Sequence, residues 1–218
     1  MALFNSFDSF DHKGLYAITD RVIAKGSHTE IVASILAGGG RLIQLREKDL
    51  PTGDFYQAAI LSVKIAHQKG ACLIINDRVD IAQMTRADGV HLGQDDLSPE
   101  KARLILGENA IIGLSTHSLT QALIADKLPI DYIAVGPIFP TLTKPEASVS
   151  VDSGQVGLNL LQEVCQKVSK PVVAIGGITL ERASAVLKTG ACAVAVISDL
   201  LKYNDIGQRT TTFLEKLK

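Results

Sequence analysis

Several short stretches of this chain combine residue types that do chemistry. Gln44, Arg46 and Lys48 alternate at i, i+2 and i+4. On a strand that spacing puts all three on one face, with Leu45 turned the other way. Polar groups facing inward, two of them cationic, are costly in a protein interior unless an anion or a carboxylate answers them. The first answer is a bound ligand; the second is an internal salt bridge, for example to Asp77. Binding is the preferred reading, because Lys144 adds a cation and no equal surplus of carboxylates accompanies it. Asp77 and Asp96, with Asp95 as a substitute for the latter, form a candidate Mg²⁺ pair, since paired carboxylates beside bound phosphates are the usual oxygen donors for that ion. Each also has a local reading as a helix cap, Asp77 before a helix opening at Arg78 and Asp96 before one opening near Pro99. In the stretch from Gly136 to Lys144, Pro137 and Pro140 remove two backbone donors and fix two φ angles. Thr141, Thr143 and Lys144 then offer two hydroxyls and an ammonium to oxygen, which suits a phosphorylated substrate. No Ser/His/Asp triad or cysteine nucleophile is evident. His91 reads as a core histidine and His117 stays ambiguous.

These residues need a scaffold, and the hydrophobic pattern supplies one. Short apolar runs cover 15–19, 41–45, 71–75, 89–92, 111–114, 132–135, 172–175 and 191–197. Helical runs lie between them, at 27–38, 53–69, 78–85, from Ser98 and Pro99 onward, at 118–126, 156–168, 179–188 and from Ser198 onward. Strands that read continuously apolar belong to a parallel sheet covered on both faces. Eight βα units in succession predict an α/β fold, a single (β/α)8 TIM barrel over 1–218 with 1–13 as a lead-in, rather than a doubly wound open sheet. In such barrels the active site lies at the C-terminal ends of the strands. The polar clusters above all fall there. Gly176-Gly177 and Ile197-Ser198 follow the seventh and eighth strands, the recurring phosphate position of this fold. The 137–155 connection is long for a barrel and reads as a lid or binding loop.

Composition narrows the partners. The chain has 218 residues, 46% hydrophobic, with a net charge of −1. That charge gives no bulk attraction to nucleic acid or an anionic membrane, so phosphate binding must be local. Cys72, Cys165 and Cys192 are an odd count in apolar stretches and read as buried free thiols of a cytoplasmic protein. The N-terminal stretch carries Asp8 and Asp11 and no basic region, so no signal peptide is expected. No apolar run reaches the ~18 residues of a membrane span. No surface stripe marks an oligomer interface, and a homo-oligomer stays open.

The motifs together resemble the thiamine-phosphate synthase family. They run from Leu15-Tyr-Ala-Ile-Thr-Asp20 through Gln44-Leu-Arg-Glu-Lys48, Ile75-Asn-Asp-Arg78 and Asp88-Gly-Val-His-Leu-Gly-Gln94 with Asp96. Gly113-Leu-Ser-Thr-His117, the Gly136 to Lys144 stretch and Ala174-Ile-Gly-Gly-Ile178 complete the set. The resemblance implies a transferase of thiamine biosynthesis. It joins hydroxymethylpyrimidine diphosphate to a thiazole phosphate and releases diphosphate. It implies that Gln44, Arg46, Lys48, Asn76, Ser115 and Lys144 hold the pyrimidine diphosphate, with Arg46, Lys48 and Lys144 acting on the leaving group. Asp77 and Asp96 would hold Mg²⁺, and Thr141, Thr143, Gly177, Ile197 and Ser198 the thiazole phosphate. The implied chemistry is dissociative: diphosphate departs and the thiazole nitrogen traps a pyrimidine-methyl cation. The chain departs from the family in a longer, hydroxyl-rich stretch from Pro145 to Gln155.

Three rivals remain. A thiazole tautomerase of the sister family would use His117 for proton transfer and need no Mg²⁺. A phosphate-binding barrel isomerase or lyase would want a facing acid and base, and no obvious pair is present. For a non-catalytic sensor of thiamine precursors, or a scaffold, loss of the metal carboxylates or of Lys144 would be the supporting sign, and neither is lost.

Overall fold

The computed structural model describes residues 14–141 and 157–218. Eight strands pair in parallel and close into a barrel in the order of the chain. They are β1 (Leu15–Ile18), β2 (Leu42–Leu45), β3 (Cys72–Asn76), β4 (Gly89–Leu92), β5 (Ile111–Thr116), β6 (Tyr132–Val135), β7 (Val172–Ile175) and β8 (Ala193–Val196). The closing pair sets Leu15, Tyr16 and Ala17 of β1 against Val194, Ala195 and Val196 of β8. Helices follow the strands: α1 (Arg21–Ala24), α2 (His28–Ala37), α3 (Thr52–Gln68), α4 (Val79–Thr85), α5 (Pro99–Leu106) and α6 (Leu119–Ala125), then α7 (Gly157–Lys167), α8 (Leu180–Leu187), α9 (Ser198–Leu201) and α10 (Ile206–Lys216). This is the (β/α)8 barrel that the apolar runs predict.

Strand alternation divides the core in two. One set of side chains, including Ile43, Leu45, Leu73, Ile75, Ile133 and Val194, packs outward against the helices. The other fills the barrel and includes Tyr16, Ile18, Leu42, Cys72, Ile74, Ile111, Tyr132 and Val173. The interior is a packed core, not a pore. Gly113 makes room in it, because a Cβ at that position would collide with the Tyr132 ring.

Local signals explain the helix starts. Ser27 and Glu30 form a reciprocal capping box at α2. Pro99 opens α5, where its missing N–H costs nothing. Ser118 and Asp205 accept from Gln121 N and Gln208 N at the starts of α6 and α10.

Four expectations need correction. β2 ends at Leu45, so Arg46 and Lys48 project from the connection beyond the strand rather than from its face. The helix expected from Ser198 onward is two helices, separated at 202–205. The short α1 is additional; Asp20 caps it by accepting from Val22 N and Ile23 N at 3.1 Å each. Of the three free thiols only Cys72 is fully buried, while Cys165 and Cys192 are partly exposed. Thr143, Lys144, most of the 137–155 connection and the 1–13 lead-in lie outside the described residues.

Candidate active site

The C-terminal ends of the strands surround a cavity of about 840 Å³, including the part open to solvent. Gln44, Arg46, Lys48, Asn76, Ser115, Thr141, Gly177, Ile197 and Ser198 all line it. Residues far apart in the chain are brought to one mouth because every strand runs the same way.

The side nearest β1 to β4 is charged. Arg46 Nη1 lies 3.1 Å from Asp20 Oδ2, and Lys48 Nζ lies 2.6 Å from Asp77 Oδ2. The internal salt bridge weighed from the sequence is therefore present, yet Lys48 remains half exposed and lines the cavity. Asp77 has φ +61, a left-handed backbone that a non-glycine residue adopts at a cost of about 1–3 kcal/mol and that clusters at functional sites. Neither Asp77 nor Asp96 acts as a helix cap: α4 and α5 start behind Arg78 and Ser98, neither of which makes a side-chain capping bond. Asp96 Oδ2 accepts from Gly93 N at 2.7 Å. Burial pushes the Asp96 carboxyl up, and the neighbouring Asp77 charge adds to the rise. Two carboxylates close enough to repel, with oxygen donors only, fit a hard divalent cation that completes its shell with water and substrate oxygens. Among the described residues no group of three or more His, Cys, Asp or Glu side chains suited to a metal gathers.

Beneath the mouth runs a buried polar chain. Gln44 Nε2 donates to the Tyr16 hydroxyl at 3.0 Å, and the Tyr16 and Tyr132 hydroxyls are 3.0 Å apart. Tyr132 lies 2.8 Å from His91 Nδ1, and His91 Nε2 lies 2.9 Å from Ser115 Oγ. The direction that satisfies each group runs from Gln44 to Ser115, with the His91 proton on Nε2. Gln44 then keeps its carbonyl oxygen, and Ser115 its hydroxyl proton, for a ligand. His91 is the satisfied core histidine the sequence suggests, although it also borders the cavity. His117 borders the cavity too, and its Nδ1 donates to Gly136 O at 2.6 Å.

The side nearest β6 to β8 is built from backbone. Gly176 and Gly177 have φ +101 and +60. A Cβ on Gly177 would stand 2.6 Å from Pro140 O, so only glycine lets the loop after β7 lie against the loop after β6. Ile138 N and Phe139 N donate to Ile175 O and Gly176 O at 2.9 and 3.1 Å, fastening the two loops together. Arg182 clamps them from outside, donating to Gly177 O at 2.9 Å with its guanidinium 4.5 Å from the centre of the Phe139 ring. The Gly136–Pro137 peptide is cis.

Sequence reasoning missed Thr19, Asp20, His28 and Glu47, which support Arg46 and Lys48. Asp20 closes the first motif and Glu47 sits between the two cations, so both were in view; only the fold shows what they touch.

Comparison with known proteins gives the chain a family. The thiamine monophosphate synthase model matches residues 15–200. The chain belongs to the thiamine monophosphate synthase family. It is 41% identical over 203 residues to the thiamine-phosphate synthase of Methanospirillum hungatei, covering 93% of this chain and 96% of that one. It is 44% identical over 193 residues to the thiamine-phosphate synthase of Clostridium novyi, covering 88% and 92%. The solved structure of thiamine phosphate pyrophosphorylase from Pyrococcus furiosus superimposes with a TM-score of 0.85 at 37% identity, covering 94% of this chain and 96% of that one. The expectation of an enzyme, a transferase of thiamine biosynthesis, stands with the family. Among the described residues no helix is long and apolar enough to cross a membrane.

Proposed function

We propose that this chain joins 4-amino-2-methyl-5-hydroxymethylpyrimidine diphosphate to hydroxyethylthiazole phosphate, giving thiamine phosphate and diphosphate. The observation that carries the reading is one cavity with a cationic side, Arg46 and Lys48, and a neutral backbone side, Gly176, Gly177 and Ser198. Two phosphorylated substrates, one of which loses its diphosphate while the other keeps its phosphate, need such a division.

Gln44, Asn76 and Ser115 hold and orient the pyrimidine diphosphate, the Gln44 carbonyl suiting the amino group of the ring. Arg46, Lys48 and, from the sequence, Lys144 bind the diphosphate and stabilise the charge that grows on it as its bond to carbon breaks. Thr141, Thr143, Gly177, Ile197 and Ser198 hold the thiazole phosphate and aim the ring nitrogen at the carbon left electron-poor. Ile18, Ala134, Ile175 and Ala195 give the cavity an apolar lining that keeps water from that carbon. Asp77 and Asp96 would hold Mg²⁺, which when bound supplies positive charge to diphosphate oxygens. No general acid or base is required of the chain. Three free thiols suit a reducing compartment, the cytoplasm.

One observation favours a second reading. His117 stands at the cavity with Nδ1 engaged, so Nε2 is the nitrogen it has for proton transfer in a thiazole tautomerase.

Diphosphate release on mixing the purified protein with both substrates, in Mg²⁺ and in EDTA, separates the two. The proposal expects Mg²⁺-dependent release that requires the thiazole phosphate and yields thiamine phosphate. No release, with proton exchange on the thiazole phosphate alone that a His117 substitution abolishes, would replace it with the tautomerase. Ligand binding without either activity would leave a sensor or scaffold.

A further inference from the structure

Behind Arg46 and Lys48 lies a buried cluster of Thr19, His28 and Glu47. Thr19 and His28 are 0% and 1% exposed, and the Glu47 side chain is 6% exposed. Glu47 does not face the cavity, although its neighbours in sequence on both sides do. Its Oε1 accepts from three successive backbone amides, Lys48 and Asp49 at 2.7 Å and Leu50 at 3.1 Å. Its Oε2 lies 3.0 Å from His28 Nε2 and 3.4 Å from Arg21 Nη1. On the far side of the imidazole, Thr19 Oγ1 lies 3.0 Å from His28 Nδ1 and accepts from Arg46 N at 3.1 Å.

The bonds run one way. Glu47 can only accept, so His28 donates through Nε2 and accepts through Nδ1 from the Thr19 hydroxyl, which in turn accepts the Arg46 amide. That requires a neutral imidazole, and burial lowers the His28 pKa despite the Glu47 charge beside it. Burial alone would raise the Glu47 carboxyl; the backbone amides and His28 outweigh it and hold it at about 2. The cluster thus grips the backbone of residue 46 from one end and of residues 48–50 from the other.

We propose that Glu47, tied through His28 to Thr19, is a positioning residue: it fixes the 46–50 backbone so that Arg46 and Lys48 meet the departing diphosphate already oriented. This rests on the diphosphate-releasing reaction proposed above. Donors held in place before the bond breaks need no reorganisation as charge develops, and a site is only as accurate as the groups that support it. A carboxylate placed one residue from each of two anion-binding cations would weaken them if it faced the ligand. Here it is spent on amides facing away from the cavity.

The test is steady-state kinetics on wild type, Glu47→Ala, Glu47→Gln and Thr19→Val, each with a melting temperature. Glu47→Ala is expected to lower kcat about 10- to 100-fold, the scale of a small misplacement, while the KM for thiazole phosphate stays within about 2-fold. Glu47→Gln keeps one oxygen for the amides and should recover part of the loss. Thr19→Val, which removes the Arg46 amide's acceptor and the hydroxyl that donates to His28 Nδ1, should show the same pattern more weakly and stands in if Glu47→Ala does not fold. Losses that fall equally on both substrates, or that follow the melting temperature alone, would overturn the positioning role and leave the reaction intact. A wild type that releases no diphosphate would overturn the reaction, and this inference with it.

Discussion

The two sides of the cavity differ in the kind of groups they present. From β1 to β4 come Arg46 and Lys48, each paired with a carboxylate, and the Asp77–Asp96 pair beside them. From β6 to β8, among the described residues, no charged side chain lines the cavity; glycines, the Thr141 and Ser198 hydroxyls and apolar side chains do. In the proposed reaction the difference follows from when charge changes. A phosphate that keeps its charge throughout a reaction needs only to be held, and a shaped backbone does that without altering the rate. A leaving diphosphate gains charge in the transition state, and full charges aimed at it act where rate is decided. The charged side pairs its cations internally, whereas the neutral side is shaped by its glycine turns and held by the Arg182 hydrogen bond to Gly177 O.

Substitutions that affect one side and spare the other test this division. Lys48→Ala should be the most damaging, lowering kcat for diphosphate release by ~10²- to 10³-fold, the usual cost of one lost transition-state contact. An unchanged rate would remove Lys48 from the site. Asp77→Asn should follow, with turnover about 10- to 100-fold lower and a higher Mg²⁺ requirement; thiazole phosphate affinity should be preserved, and an equal loss of both would merge the two sides into one. Gly177→Ala puts a Cβ against Pro140 O on a left-handed backbone. A strain of about 1–3 kcal/mol should raise the thiazole phosphate KM about 10-fold and leave the pyrimidine diphosphate KM alone. Ser198→Ala should be mildest, a few-fold in the same KM, for about 1 kcal/mol from one hydrogen bond.

The barrel was legible because its strands are apolar on both faces and its helices begin with Ser27, Ser118 and Pro99, strong local signals. The cluster of Gln44, Asn76, Ser115, Gly177 and Ser198 at one mouth was legible because parallel strands send their ends the same way. The ends of strands were less so: period-2 spacing continues past Leu45, where the hydrogen-bonded ladder has already stopped. Nor does the sequence distinguish Lys48 pairing with a ligand from Lys48 pairing with Asp77, since both follow from the same residue types. Thr19, His28 and Glu47 meet only through contacts between β1, α2 and the connection after β2, and nothing local to any of them announces the others.

Binding of hydroxyethylthiazole phosphate to wild type and to Lys48→Ala, set beside diphosphate release by the same two proteins, tests the division most directly. It predicts dissociation constants that agree within about 2-fold, together with a collapse in release for the variant. If Lys48→Ala loses affinity for the thiazole phosphate in step with its rate, the two sides do not have separate roles and the account is wrong.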